Sequence, residues 1–590
     1  MGKKSRAKQS AKTLTTINKN KKELTKLAVK LFKMCIYSPS HQEEWDYYLK
    51  IHSAVENFRK RHVDGINYVS STTDKRNLSL PVFKTWLFEN GVEQNFVKLH
   101  DFEDIKEFGL IATEDIKIDQ SIVTVPRQLM ITHEDVKTSY LKDLIAGNEV
   151  LSVMPNVCLA LFLHFEKYNP ESKYKPYLDI LPREFNTTLY FTPEEMKYLR
   201  GSTALSSAVQ QYKSIVRQFT LLYQVFNGNH QQNDVACLNA AGREMFTFDA
   251  YRWCVSAVTT RQNKIPALKP ENADDEDGLS TLAMIPLWDM FNHDIGPMST
   301  AYNAQTNQLE CFAMRDFAKD EQVTICYGGR CNSDLLIHNG FVFSNNPFDK
   351  VRIRLGISTQ DPLYKKKVQL LSRVKCEANG LFAICSMNGN LPTSPQLLSF
   401  LRVFHMNEGE LNEWIAKSDT ELNYLSEVYI SGPVHFSADI KMWEYLENRV
   451  NLLLLQFKKN FEDVETLLRN DTISSRAKLS LKLRIEEQRV LTECAGFCRQ
   501  FRLDLQQKSS NILSNCDSDT SRTEVEALSR IAFEDPKMVN MKLVGAELAK
   551  HDSMSTHLQN LELNSSGNVG EKSMDSTEEV RSASEATENV

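Results

Sequence analysis

Short strand-like segments occur in two groups, and a long helical stretch holds the groups apart. "GLIATEDI" and "QSIVTVP" fall within residues 109–126, whereas "TAYNA", "LECFAMRDF" and "EQVTICY" fall within 300–327. Short runs of this kind, separated by turn residues such as the acid and lysine of "KIDQ" and "AKDE", read as strands. Between the groups, from about 130 to 260, the pattern turns helical. The natural solution over residues 92–345 is a small β domain that carries the helical stretch as an insertion.

The flanks are of different kinds. From 346 to 505 the pattern is helical: Leu397, Leu401 and Phe404 share one helix face, as do Phe457, Phe461, Val464 and Leu468, and "SRAKLSLKLRIEEQRVL" adds a long amphipathic run. Such stripes form the core of a helical bundle. Residues 34–91 read as an N-terminal helical extension, and 1–33 as a basic, partly helical arm with eleven Lys or Arg against one acid. A solvated tail is the simplest reading of that arm. From 506 onward Ser, Asn, Glu and Thr dominate, as in "NSSGNVGEKSMDSTEEVRSASEATENV". This composition buries too little apolar surface to offset ordering entropy, so a largely disordered tail is expected, with a short helix near 523–550. The fold class is α+β.

Composition removes several function classes. A net charge of −6 argues against nucleic acid as the main partner. No apolar run of about 18 residues spans a membrane. The start "MGKKSRAKQS" lacks the apolar core of a signal peptide, and Arg6 stands where a myristoylation signal needs Ser or Thr. An intracellular, cytoplasmic chain is expected, with the basic arm leaving the nucleus as a second destination. Its twelve cysteines include no C-x-x-C pair, so they read as reduced, buried thiols and no metal is expected. No two of the 22 glycines are separated by a single residue. That excludes the usual dinucleotide-binding loop and the glycine-rich turn of doubly wound methyltransferases. P-loop, H-E-x-x-H and G-x-S-x-G patterns are also missing.

Three segments remain: "RQNKIP" (261–266), "WDMFNHD" (288–294) and "ICYGGR" (325–330). In the second, Asp289, Asn292, His293 and Asp294 crowd among Trp288, Met290 and Phe291. Such a segment is either a loop with satisfied polar ends or the lining of a site. Tyr327 offers an aromatic wall and a hydroxyl, followed by two glycines that let the backbone pass close to a ligand. Taken singly, the Asn-His pair reads as a capped turn and Tyr-Gly as a strand end.

In this order and spacing, "DMFNHD" followed by "EQVTICYGG" resembles the C-terminal half of a SET-domain protein methyltransferase, a fold of small sheets with a knot-like C-terminal segment. "EFGLIATEDIKIDQSIVTVP" resembles the opening strands of that family. "YKPYLDILPREFNTTLYFTPEEMKYLRGS" (174–202) is similar to the insertion of its Rubisco-methyltransferase-like branch, which ends in an all-α substrate-binding domain. The likeness covers about residues 75–500. Within that branch, "YRWCVSAVTTRQNKIP" and "IPLWDMFNH" most resemble members that methylate a histidine of actin.

The resemblance implies S-adenosylmethionine as methyl donor, the tele nitrogen of a histidine as acceptor, and actin as the protein substrate; a monomer is expected. By the same resemblance Arg76, Phe108, Arg261, Asp289, Met290, Phe291, Asn292, His293, Gly340 and Phe341 contact the cofactor. Tyr327 lines the methyl-transfer channel, Asn263 orients the imidazole, Trp288 packs beside it, and Arg330 contacts the substrate peptide. Lysine-specific relatives tend to carry an aromatic residue at the position of Asn263, whereas a carboxamide can hydrogen-bond one imidazole nitrogen. A histidine, with an ordinary pKa of about 6.5, is mostly neutral near pH 7, unlike lysine at about 10.4. Orientation therefore matters more than a strong base, and it can contribute about 7–11 kcal/mol.

Two positions depart from the family pattern. Its glycine–aromatic–glycine turn reads Glu107-Phe108-Gly109 here; if the first position needs a positive φ, glutamate costs roughly 1–2 kcal/mol. Asn339 stands where the nearest relatives have serine. Two other readings stay open at this point: a lysine methyltransferase of the same branch acting on histone or another protein, and a partner-binding SET protein with weakened catalysis.

Overall fold

A computed structural model describes residues 20–40, 42–63, 76–102, 107–227, 238–268, 280–387, 391–426, 433–460 and 464–515. Residues 1–19 of the basic arm, Phe461, and the tail from 516, with its helical pattern near 523–550, lie outside the described residues.

Each of the two larger sheets mixes strands from before and after the insertion. One runs in the order Glu93–Gln94, Ser121–Pro126, Gln308–Phe312, Thr300–Asn303, all antiparallel. The other runs Val97–Phe102, Glu107–Ala112, Gln322–Ile325, Asn292–His293. Its outer strand Val97–Phe102 begins with alternating burial, whereas Phe108 to Ala112 in the central strand are all buried. Gln322–Ile325 pairs antiparallel with Glu107–Ala112 but parallel with Asn292–His293. A third sheet joins Ile131–Thr132, Ser280–Met284 and Asn263–Pro266.

The insertion is helical, and its main members are Pro155–Lys167, Ala204–Asn227 and Phe248–Arg261. Val157 to Glu166 are all buried, which makes the first of these a central core helix. Helix Phe248–Arg261 starts where Thr247 accepts the Ala250 N–H, and it ends two residues before strand Asn263–Pro266. A cap of this kind contributes about 1 kcal/mol. N-terminal helices over 20–36 and Glu44–Val63 complete the same core. Phe58 sets its ring 5.5 Å from Phe219 and 5.2 Å from Tyr223 on helix Ala204–Asn227.

A second core lies in the C-terminal region, around Trp414, Trp443, Val490 and Leu491. Its helices include Pro395–His405, Pro433–Asn460 and Ser475–Asn515, and the last runs past residue 505, where the sequence pattern ends the helical domain. The region also holds an antiparallel pair, Lys350–Gly356 with Asn379–Cys385. "NGLFAIC" buries Gly380, Phe382 and Ile384 in strict alternation, a period-two signal too short to stand out inside a helical stretch. All ten described cysteines are free. Among the described residues no helix is long and apolar enough to cross a membrane.

Helix Ser475–Asn515 ties the two cores together. Leu483 belongs to the first and Val490 to the second. Between them, Glu487 accepts the Ser202 hydroxyl at 2.8 Å, and Arg484 donates to the carbonyls of Arg200 and Phe457. Burial pushes the Glu487 carboxyl up to about 8 from an ordinary 4.5. Between those values the unfolded chain releases a proton that the fold retains, so the group's contribution to stability falls as pH rises from 4.5 to 8. Glu487→Gln keeps the neutral shape and removes that loss. Its stability relative to wild type should improve on going from pH 5 to pH 8, by about 1–3 kcal/mol. Denaturant titrations across that range check this, and a pH-independent difference contradicts it.

Candidate active site

The parallel pairing of Thr324 with Asn292 and Ile325 with His293 delivers Tyr327 to the segment 288–293. Its hydroxyl donates to the Phe291 carbonyl at 2.6 Å, and its backbone N–H donates to His293 Nδ1 at 3.2 Å. The Tyr327 and His293 rings stack with centroids 5.0 Å apart and planes 29° apart. Phe341 and Phe343 close around the histidine at 5.9 and 5.4 Å. Burial pushes the Tyr327 phenol up to about 12 and the His293 imidazole below its ordinary value. Both rings are therefore neutral near pH 7. With its proton committed to a carbonyl, Tyr327 is a wall and a fixed dipole rather than a base.

Below this pair lies a buried polar layer. Arg261, at the end of its helix, donates to the Asp289 carbonyl at 2.6 Å and comes within 3.9 Å of the Asp289 carboxylate. The Tyr177 hydroxyl, from the insertion, donates to the same carboxylate. Burial pushes Asp289 up to about 6, opposed by Arg261 and by the Tyr177 hydrogen bond. The chain enters the segment through Leu287, a fully buried residue at φ +69° and ψ −50°. That conformation costs a non-glycine residue about 1–3 kcal/mol, which the surrounding core must over-determine. Just beyond it, the Trp288 indole N–H donates to the Thr300 hydroxyl at 3.0 Å, fixing the ring. Asn263 opens its strand opposite Ala283, and its side-chain oxygen accepts the Lys264 N–H at 2.9 Å.

These elements enclose a cleft. Arg261, Asn263, Trp288, Asp289, Phe291, Tyr327 and Arg330 line it, so the three motifs of the sequence do converge. Thr259, Thr260, Gln262, Ile325 and Asn339 line it too, and sequence reasoning did not place them there. Thr259, Thr260, Gln262 and Ile325 were within reach because they sit inside the quoted segments. Tyr177 was not, because its partner Asp289 lies 112 residues away and nothing local marks the contact.

The remaining expected residues surround the cleft rather than line it. Met290 turns its sulfur to within 4.0 Å of Arg261. Arg76 lies over the Phe108 ring at 5.3 Å and reaches the Glu107 carboxylate at 3.4 Å. Glu107 occupies ordinary strand backbone opposite Phe102, not a positive φ, so the missing glycine brings no backbone strain. Gly109 is the position that cannot change: a Cβ there would meet the Phe102 ring at 2.7 Å and Asn292 Nδ2 at 2.8 Å. Gly340, at φ +86°, leaves no room for a Cβ against the Asn186–Thr187 backbone, and Phe341 stands 6.3 Å from Tyr327. Among the described residues, Asn292 Nδ2 and Arg261 Nε are buried with no hydrogen-bond partner. Orphaned buried donors cost about 1–3 kcal/mol each, and a polar ligand that accepts from them removes that cost.

Comparison with known proteins agrees with this geometry. Residues 107–328 match the SET domain family model, and 358–491 match the model described as Rubisco LSMT substrate-binding. Curated relatives include the actin-histidine N-methyltransferase of Plecturocebus moloch, 37% identical with 86% of this chain and 84% of the relative covered. Those of Gallus gallus and Homo sapiens are each 38% identical, covering 83% of this chain and 80% of the relative. Among solved structures, the SET domain of LSMT bound to lysine and AdoHcy aligns with a TM-score of 0.58 at 21% identity. That alignment covers 75% of this chain and 97% of the other. Rubisco LSMT bound to AdoMet gives 0.57 at 22% identity with the same coverage.

Proposed function

The chain belongs to the family of actin-histidine N-methyltransferases, SET-domain enzymes with a Rubisco LSMT-type substrate-binding domain, and on that premise we propose that it transfers a methyl group from S-adenosylmethionine to the tele nitrogen of a histidine in actin. The observation that carries this reading is the cleft itself. Tyr327, Trp288 and the Asn263 carboxamide line it together, and the one carboxylate among its lining residues, Asp289, is already engaged by Tyr177 and Arg261.

The cofactor supplies an electrophilic methyl on a sulfonium. Arg76, Phe108, Arg261, the run Asp289 to His293, Gly340 and Phe341 are the residues that would hold it, and the orphaned donors Asn292 Nδ2 and Arg261 Nε fit its polar groups. Asn263 fixes the acceptor ring so that its lone pair, and not its N–H, points toward the donor. Trp288 and Tyr327 restrict the ring to one plane, and Arg330 meets the flanking polypeptide. After transfer the ring is cationic and sheds the proton on its other nitrogen to water at the cleft mouth; no residue of the chain has to act as a strong base.

Tyr327→Phe tests the role of the wall. The phenyl ring keeps the packing but strips the buried Phe291 carbonyl of its donor, so kcat on actin should fall about 10- to 100-fold and stability by about 1–3 kcal/mol. Incorporation of labelled methyl into unmethylated actin measures it; undiminished turnover would remove the hydroxyl from the account. The reading extends to a monomeric enzyme in the cytoplasm, where its protein substrate is found, with no nucleic-acid partner given its net charge of −6.

A further inference from the structure

Asn339 departs from the family pattern at the sequence level, and the fold gives it a specific placement. It closes a wide helical turn, Leu335–Asn339, in which the Gly340 N–H donates to the Leu335 carbonyl at 2.8 Å, five residues back. Turns of this i→i+5 kind are rare and cluster at functional sites. Gly340 locks the turn from the other side, since a Cβ there would lie 2.8 Å from the Asn186 backbone carbon. Asn339 is thereby held at the cleft, which it lines together with Asn263, Trp288 and Tyr327. Its side-chain oxygen accepts from Arg330 Nη1 at 3.0 Å. Arg330 is anchored at its main chain as well, where its carbonyl accepts from Asn346 Nδ2 at 2.7 Å. No carboxylate pairs with its guanidinium among the described residues.

A half-buried guanidinium at the lip of a cleft, held by one neutral oxygen, keeps donors in reserve for a ligand. We propose that Asn339 is a positioning residue for the acceptor: its carboxamide oxygen holds the Arg330 guanidinium in the orientation that captures an oxygen acceptor of the polypeptide beside the target histidine. A carboxylate in this place would neutralise the cation and compete with the substrate, whereas a shorter hydroxyl side chain would leave the guanidinium free to swing. The inference rests on the histidine-methyltransferase reading. It adds a residue that acts on acceptor binding and not on methyl transfer.

Steady-state kinetics of the full chain on unmethylated actin test it. Asn339→Ala is expected to raise KM for actin about 5- to 10-fold, with kcat and S-adenosylmethionine affinity by calorimetry within about twofold. Asn339→Gln keeps an amide oxygen at longer reach and should recover part of the KM. Adding Asn339→Ala to Arg330→Ala should change KM by less than about twofold, because the first residue acts through the second. With a peptide spanning the methylated histidine as acceptor, a KM that rises between ~50 and ~300 mM salt identifies the captured oxygen as a carboxylate, and a flat one as a main-chain carbonyl. An unchanged KM in Asn339→Ala overturns the inference, as does a loss expressed through cofactor affinity or full additivity of the double variant. If the wild-type chain itself methylates no actin, the functional reading falls and takes this inference with it; wild-type turnover with an indifferent Asn339 leaves that reading standing.

Discussion

Asn263→Phe is expected to lower kcat/KM for the actin histidine by about 10²- to 10³-fold while leaving the fold intact. The magnitude follows from the role of orientation, since a misplacement of about 1 Å can cost about 10²-fold in rate. A neutral imidazole has one N–H and one bare nitrogen, and only the ring orientation that aims the bare tele nitrogen at the donor is productive. The Asn263 side-chain oxygen already accepts the Lys264 N–H at 2.9 Å, which fixes the carboxamide, and its second lone pair can take the N–H of the substrate ring. Phenylalanine offers neither and narrows the slot beside Trp288. It also creates an apolar wall suited to an aliphatic stem, so activity on a lysine at the same peptide position should rise from background. Paired peptides differing only in His or Lys, assayed with labelled cofactor, read both changes. Full retention of histidine activity would assign the orienting role elsewhere in the cleft.

Asp289→Ala is expected to destabilise the protein by about 3–5 kcal/mol, because it leaves a buried guanidinium uncompensated and the Tyr177 hydroxyl without its acceptor. The Asp289 side chain is 1% exposed and that of Arg261 12%, so water cannot take over. The pair is not a source of net stability in itself. Burial pushes Asp289 up to about 6 in spite of Arg261, so the carboxylate is ionised at neutral pH at some cost. Its importance lies in what its removal strands, at the floor of a segment already strained at Leu287. Activity should fall together with stability, since Trp288 and Phe291 flank the site of change. Chemical denaturation at pH 7.5 measures the difference; a loss under about 1 kcal/mol would show that the layer relaxes or admits water.

The sequence carried the local half of this architecture. Strand-like runs bounded by turn residues, "QSIVTVP" and "EQVTICY", located strands Ser121–Pro126 and Gln322–Ile325, and helical spacing located Pro395–His405. The crowding of polar residues in "WDMFNHD" stood out as an anomaly, because buried polar groups are tolerated only where something meets them, and Trp288, Asp289 and Phe291 do line the cleft. What it could not carry was long-range. The parallel register of Ile325 with His293, which seats Tyr327, joins residues with no local signal for their pairing. Tyr177 is invisible for the same reason, and Leu287 looks like any buried leucine until its φ of +69° is seen. At Glu107 the family pattern raised a concern that strand geometry removes, since the position is extended and Gly109 is the one whose bareness matters.

Mass spectrometry of unmethylated actin after incubation with the protein and S-adenosylmethionine tests the central claim most directly. The account predicts a gain of one methyl group, localised by fragmentation to a single histidine and to the tele nitrogen of its ring. Actin left unmodified by a sample that binds the cofactor would contradict it, and so would a methyl group found on lysine.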